Sequence, residues 1–343
     1  MVGGGQAGLA IARHLARQGL RLVVLEAASH IGHSWRMRWD SLKLFTPAQY
    51  NALPGMAFPL PADTYPGKDA VADFLSRYAA TFHLPVQLDT RVTALRNVDG
   101  EFEVRTEDEV FRAGQVVVAT GPFQEPYLPP AGWMFDASVT QLHSSAYRNP
   151  HALPAGPALV VGGGNSGLQI AEELVATREV VVSVGEHPPM LPQRLLGRDL
   201  FWWLTRLGVM RVSTQTRLGR RLQARGEFVI GTNRRRLGRA GVRFRPRLVS
   251  ADGRTARFAD GSSLDVGVVL WATGYRPNYS WLSIQGVVRD GRVAHDRGVT
   301  RVPGLYFLGL PWQHTRGSAL LGFVAADAAY LADRIAVRAR DAR

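Results

Sequence analysis

The 343-residue chain carries 41 basic against 28 acidic residues, a formal charge of +13, with 46% hydrophobic residues and no cysteine. That length and apolar fraction suffice for two sizeable cores, and the absence of thiols excludes disulfides, thiolate metal sites and a dithiol redox relay. No apolar run approaches ~18 residues and no charged segment precedes a short apolar one, so neither a transmembrane span nor a signal peptide is expected, and the chain reads as cytoplasmic.

Gly3-Gly4-Gly5-Gln6-Ala7-Gly8 opens the chain with the GxGxxG spacing of a dinucleotide turn. The first glycine allows a tight strand-to-helix turn. The second admits a pyrophosphate to backbone N–H groups, and the third lets the helix pack against the strand. A strand of ~5 residues should precede such a turn, yet only Met1 and Val2 do. An upstream apolar extension is therefore expected to raise both stability and cofactor occupancy. Leu9 to Gln18 reads as an amphipathic helix ended by Gly19, and Leu22 to Leu25 as a buried strand closed by Glu26. An acid at that point accepts hydrogen bonds from ribose hydroxyls. Residues 30–65 form an irregular excursion rich in proline and aromatics. A helix is predicted over Asp69–Ala80, short strands over Val86–Val98 and Glu103–Arg105, and a buried strand over Val116–Val118 running into Ala119-Thr120-Gly121.

Asn149 to Pro157 reads as a linker. Beyond it the pattern repeats. Ala158–Val161 is a strand, Gly162-Gly163-Gly164-Asn165-Ser166-Gly167 a second GxGxxG turn, Ser166–Ala176 a helix and Val180–Val184 a strand. A long helical middle is expected next, containing Phe201-Trp202-Trp203-Leu204. All but two of the basic residues, Lys43 and Lys68, are arginine, and they are densest from Arg217 to Arg247, where eleven arginines meet one acid, Glu227. No nucleic-acid motif accompanies them, so a solvated surface that steers an anionic cofactor is expected and nucleic acid is not. Val268–Trp271 leads into Ala272-Thr273-Gly274-Tyr275, Leu305–Leu310 is a last strand, and Ser318–Arg338 a last helix in which Asp327 is read as solvated or as a cap. Strands alternating with helices imply α/β architecture with parallel sheets covered on both faces.

The two turns, Gly32-His33-Ser34-Trp35, the two Ala-Thr-Gly elements and His143-Ser144-Ser145-Ala146-Tyr147 together resemble the class B flavin-dependent monooxygenases, over nearly the whole chain. Trp39 to Leu44 running to Leu53-Pro54, and His143 to Gly167, are similar to the plant auxin-forming branch. Trp312 to Gly317 is similar to bacterial FAD-dependent oxidoreductases. The resemblance implies two Rossmann-like domains with parallel sheets, the nicotinamide domain (151–274) inserted in an FAD domain (1–150 and 275–343). It implies FAD at the first turn and NADPH at the second, with NADH as an alternative donor. The implied activity is monooxygenation of a small organic substrate at a heteroatom or carbonyl by dioxygen, through a C4a-(hydro)peroxyflavin. The alternatives are an NAD(P)H oxidase or flavin reductase releasing hydrogen peroxide, and a non-catalytic truncated flavoprotein.

The cofactor residues implied are Gly3, Gly5, Gln6, Ala7, Gly8, Glu26, Gly32, Ser34, Trp35, Val92, Ala119, Thr120 and Gly121, with Gly162, Gly164, Asn165, Ser166, Gly167, Arg194, Ala272, Thr273 and Gly274. Phe45, His314 and Arg316 are expected near the reacting centre, Trp35 beside the flavin, and His143 as a link between domains. No metal site is expected, partners are the substrate and dioxygen, integral membrane association is not expected, and a homodimer is left open. The chain departs from the family fingerprint at Ala137, Val139 and Tyr147-Arg148, which argues against a Baeyer–Villiger enzyme. No Asn stands in Leu44-Phe45-Thr46, as in the auxin-forming branch. Gly185, followed by Glu186, occupies the position of a family Arg for the 2′-phosphate, which predicts weakened NADPH discrimination unless Arg194 or Arg234–Arg236 compensates.

Overall fold

The computed structural model describes residues 1–185 and 188–341, in which two parallel sheets each carry one of the glycine turns. In the first, Val24–Leu25 pairs with Val86–Gln87 on one side, and Val2 bridges Leu25 and Val118. Val116–Val118 then pairs with Leu305–Phe307, and two short antiparallel strands, Val299–Thr300 and His295–Asp296, complete the edge. Met1 and Val2 fill the slot of the expected first strand. Val2 N–H donates to Val117 O (2.9 Å) and Leu25 N–H to Met1 O (2.9 Å), while Gly3 N–H continues the ladder to Leu25 O (2.8 Å). The turn's own first glycine thus serves as the third residue of the strand.

The helix after this turn, Gln6–Arg17, is buried along Ala7, Gly8, Leu9, Ala10, Ile11, Ala12 and Leu15. It packs on the last helix, Ala325–Asp341, whose Ala328, Leu331, Ala332 and Ile335 share its core, and on Lys68–Thr81 through Val71, Leu75 and Tyr78. The predicted last helix is interrupted: a short turn at Arg316–Ala319 precedes Ala325–Asp341. Asp327 is neither solvated nor a cap. It is buried, and its carboxylate takes the Arg297 guanidinium at 2.9 Å.

The second sheet runs Arg243–Arg245, Val180–Ser183, Ala158–Val161, Val268–Trp271, Thr140–His143, all parallel. Its three inner strands are apolar on both faces, as such sheets require, and Val160, Val182 and Leu270 are wholly buried. The helix Asn165–Leu174 covers one face through Leu168, Ile170, Ala171 and Leu174. The other face is covered by the antiparallel strands Leu248–Asp252, Thr255–Phe258 and Ser263–Asp265. A similar three-stranded meander, Ala94–Val98, Glu101–Arg105 and Val110–Ala113, packs on the first sheet.

The arginine-rich middle is not one long helical stretch. It resolves into helices Leu200–Arg206, Arg217–Ala224 and Arg234–Arg239, preceded by a hairpin of Arg194–Leu195 and Arg198–Asp199. Among the described residues no helix is long and apolar enough to cross a membrane.

Candidate functional site

The two glycine turns have the same local construction. A Cβ on Gly3 (φ +105°) would collide with the carbonyl of Ala119, and one on Gly162 (φ +124°) with that of Ala272. A Cβ on Gly8 would strike Gly3 O, and one on Gly167 would strike Gly162 O. The first and third glycines are therefore fixed by backbone contacts inside the protein, and each Ala-Thr-Gly element is the surface against which a turn closes. The middle glycines differ. Gly5 and Gly164 have ordinary negative φ, and a Cβ on either would meet nothing within 4 Å. Both cap their helices without a side-chain hydrogen bond, whereas Asp199, Thr216 and Asn233 cap the helices of the middle. Two helix N-termini thus present uncapped N–H groups and open space, the arrangement that receives a phosphate. The residues fit a dinucleotide at each turn.

Around the first turn, Glu26 stands at the end of Val24–Leu25, its carboxylate accepting from Gly4 N–H (2.7 Å) and Ala28 N–H (3.0 Å). A carboxylate offers about four acceptor positions, so two remain. Gly32 (φ +83°) lets its turn lie directly on Ala72. The helical turn His33–Arg36, which includes Ser34, follows, and Trp35 Nε1 donates to Gln6 Oε1 at 3.4 Å. Trp35 packs on both the first core and that of the second sheet. Ala7 faces Gly309 beyond the last strand, Val92 packs beside Leu25 and Val118, and Thr120 accepts from Gln124 Nε2 (2.8 Å) next to Gly121. Of the sequence-predicted set, Gly3, Gly8 and Ala119 meet directly and Gln6 meets Trp35.

At the second turn, the Asn165 side chain is turned away from the opening. It donates to Phe228 O (2.9 Å) and accepts from Ile230 N–H (3.0 Å), pinning the short strand Val229–Ile230 beside the turn, and Ser166 follows it in the helix. Thr273 donates to Tyr127 O, and Gly274 O lies 3.0 Å from His143 Nε2. Burial lowers the His143 pKa, its nearness to Gly274 O opposing and Arg38 reinforcing that shift. His143 holds the end of Thr140–His143 to the Ala-Thr-Gly-Tyr element, with Tyr275 edge-on at 4.9 Å. Arg194 lies in the hairpin, where it donates to Gly197 O (2.8 Å). Glu186 lies outside the described residues. Beside it, Gly185 lies two residues beyond the strand Val180–Ser183, and a Cβ there would lie 3.1 Å from Arg247 Nε. Arg247, just beyond the neighbouring strand, thus lies across the space a side chain at 185 would take. Sequence reading missed this arginine because the two positions are sixty-two residues apart.

A third group of residues forms an aromatic cluster that includes Phe228, the partner of Asn165. Phe45 stacks on Phe201 (5.9 Å, 9°), and Tyr50 on Phe323 (6.2 Å, 10°). Phe228 packs in the same cluster, and the Arg316 guanidinium sits 5.2 Å over its ring. Arg316 has a side chain only 5% exposed. Its Nη2 lies 3.4 Å from Glu227, while Nε and Nη1 have no partner among the described residues. Burial lowers its pKa, against the attraction of Glu227. Buried donors without acceptors are costly, so Nε and Nη1 remain available to an acceptor. His314 is anchored instead: its N–H donates to Ser318 Oγ (3.0 Å), its carbonyl accepts from Thr214 N–H (2.8 Å), and Nδ1 lies 3.3 Å from Ser213 Oγ. Phe45 and Arg316 meet at the aromatic cluster, and His314 ties the loop before Arg316 to the middle segment. Asn51 is wholly buried in the excursion, where its amide donates to Thr46 O and Pro47 O and holds that loop.

Sequence reading also missed Asp199. Its buried carboxylate accepts from Tyr65 OH (2.8 Å), Gln193 Nε2 (2.8 Å) and Phe201 N–H (2.7 Å), and Gln193 Nε2 also reaches Phe45 O (3.0 Å). Burial and the bond to Asp199 push the Tyr65 pKa up to about 12. The Asp199→Ala variant loses a helix cap and leaves two side chains without their acceptor. The expected loss is about 3 kcal/mol of stability, to be measured by urea unfolding; a change under about 1 kcal/mol would show that this network does not hold the Phe45 loop.

The family model for pyridine nucleotide-disulphide oxidoreductases matches residues 1–194, more than half of the chain. The chain belongs to that family. With no cysteine in the sequence, it has no protein thiol for disulfide exchange. An uncharacterized CzcO-like oxidoreductase of Geobacillus kaustophilus is 44% identical over 98% of this chain and 97% of its own length. The indole-3-pyruvate monooxygenase YUCCA1 of Oryza sativa subsp. japonica is 28% identical over 93% of this chain and 88% of its own. Among solved structures, a flavin-containing monooxygenase from Stenotrophomonas maltophilia aligns with a TM-score of 0.82 at 28% identity, covering 98% of this chain and 97% of that one.

Proposed function

We propose that this chain, a flavin-dependent oxidoreductase, is a monooxygenase that uses FAD and NADPH to oxygenate a small organic substrate at a heteroatom or carbonyl. The observation that carries the reading is the pair of open middle glycines, Gly5 and Gly164, at two separate uncapped helix starts. Residues 1–150 and 275–343 would form the FAD domain, with 151–274 inserted as the nicotinamide domain; the pairing of Leu305–Phe307 with Val116–Val118 supports that division. Gly3, Gly5, Gly8, Glu26 and the Gly32–Trp35 turn would hold FAD, Glu26 through the ribose. Gly162, Gly164 and Gly167 would hold NADPH. FAD held there would supply the redox chemistry between nicotinamide and dioxygen. The protein's part is to orient the two cofactors and exclude water. Phe45, Phe201, Tyr50 and Phe323 would line the apolar side of the substrate site, and Arg316 would hold an acceptor atom there. A cytoplasmic location accords with the composition.

The test follows NADPH consumption and peroxide yield together across a panel of amines, sulfides and ketones. Suppressed peroxide with one substrate class supports monooxygenation. Equal peroxide and NADPH under every condition would favour the oxidase reading.

The position of Arg247 beside Gly185 supports a preference for NADPH. A guanidinium across Gly185 can replace the absent family Arg in meeting a 2′-phosphate. Arg247→Ala is expected to lower kcat/KM for NADPH about tenfold relative to NADH, the loss of about one charge-assisted hydrogen bond. An unchanged ratio would remove Arg247 from the site.

A further inference from the structure

The hairpin of the middle segment has a tip that folding alone does not explain. Arg194 pairs with Asp199 and Leu195 with Arg198, leaving a two-residue loop, Leu196-Gly197. Both loop residues have positive φ, +49° and +75°. Two-residue loops of this form favour Asn-Gly, because a bulky side chain is strained at positive φ. Here the strained position holds a leucine that is 82% exposed, with Leu195 beside it at 47%. Leu196 buries almost nothing within the chain, so neither its backbone strain nor its exposure is offset by packing.

Its surroundings are arginine and tryptophan. Arg194 closes the loop through Gly197 O, Arg198 lies over the Trp202 ring at 5.4 Å, and Trp203 Nε1 donates to Leu195 O at 2.9 Å. Residues 194–239 hold twelve arginines against two acids, Asp199 and Glu227, so +10 of the chain's net +13 lies in this segment. Asp199 is buried and committed to the network described above.

We infer that this hairpin tip is a peripheral docking element for an anionic lipid surface, with Leu195 and Leu196 as the inserted wedge. An exposed apolar tip ringed by arginine and tryptophan suits the boundary between headgroups and acyl chains. A nucleic acid would use the arginines but has no place for a leucine wedge. A second copy of the chain would bring a like-charged segment against this one. The inference is independent of the reaction proposed above. It has a consequence for access, since the helix that begins at the hairpin carries Trp202 and Trp203 on its outer side and Phe201 against Phe45 on its inner side. Docking would bring the aromatic cluster close to the bilayer.

The experiment sediments the full-length flavoprotein with vesicles of phosphatidylcholine alone or mixed with phosphatidylglycerol, at low and high salt, and runs a double-stranded DNA control. The wild type should bind the anionic vesicles, lose that binding at high salt, and show a tryptophan emission shift on binding. Leu196→Asn relieves the strain at positive φ, so its melting temperature should hold or rise while vesicle binding falls about tenfold. Leu196→Trp should bind more tightly, and Arg194→Glu with Arg198→Glu should abolish binding. The inference is overturned by no preference for anionic vesicles, by binding that Leu196→Asn and Leu196→Trp leave unchanged, or by DNA binding stronger than vesicle binding.

Discussion

Gly5→Ala is expected to give a folded protein that purifies without flavin. The substitution is a clean probe because φ at Gly5 is −76° and a Cβ there meets no protein atom within 4 Å. Beyond the modest N-cap preference for Gly over Ala, whatever it disturbs is therefore a bound molecule. In the proposed complex the new methyl stands where the FAD pyrophosphate approaches the first N–H groups of the helix Gln6–Arg17. Loss of two hydrogen bonds to a charged group, at about 1.5–3 kcal/mol each, weakens binding about a hundredfold or more. The measurement is the ratio of flavin to protein absorbance beside a thermal melt. Gly8→Ala makes a useful contrast: its Cβ would strike Gly3 O, so it should lose stability as well as flavin. Full flavin occupancy in Gly5→Ala would remove FAD from the first turn.

The second large effect is at Gly164→Ala, whose φ of −81° and open surroundings make it equally benign for the fold. Flavin should stay bound while its reduction by NADPH slows about a hundredfold at low NADPH, by the same count of hydrogen bonds. Rapid-mixing reduction under anaerobic conditions reads this directly. Saturating NADPH should restore much of the rate, since the defect is in binding. Flavin lost from Gly164→Ala, or reduction left unchanged, would contradict the division of the two turns between two cofactors.

How much of this could be read in the sequence depended on whether a feature is set by backbone or by distant partners. The glycine turns and both Ala-Thr-Gly elements were legible because the absence of a Cβ at fixed spacing is itself the structural requirement. So were the helices Gln6–Arg17 and Lys68–Thr81, whose apolar periodicity is local. The opening strand was not, because Gly3 was read only as a turn residue when it also continues the ladder to Leu25. The middle segment was read as one long helical stretch. Its hairpin turns on Leu196-Gly197, which lacks the Asn-Gly signal, and its strands are two residues long. Asp327 was read as solvated or as a cap because its partner, Arg297, is thirty residues away. Asp199 is joined to Tyr65 and Arg247 lies across Gly185, both pairs farther apart in sequence, so a charge read alone gave no sign of either. Phe45 and Arg316 were placed near the reacting centre by family resemblance. Their meeting at one aromatic cluster depends on Phe201, Phe228 and Phe323, which come from three further segments.

The central claim is that electrons from NADPH reach dioxygen at a flavin shielded from water. It is tested most directly by reducing the flavoprotein anaerobically with NADPH, mixing it with oxygenated buffer, and following both the visible band of oxidised flavin and the release of hydrogen peroxide. The account predicts that dissolved oxygen is consumed well before the oxidised band returns, with a lag of seconds or longer and peroxide delayed to match. Immediate return of the band with one peroxide per flavin would contradict it and leave the chain an oxidase.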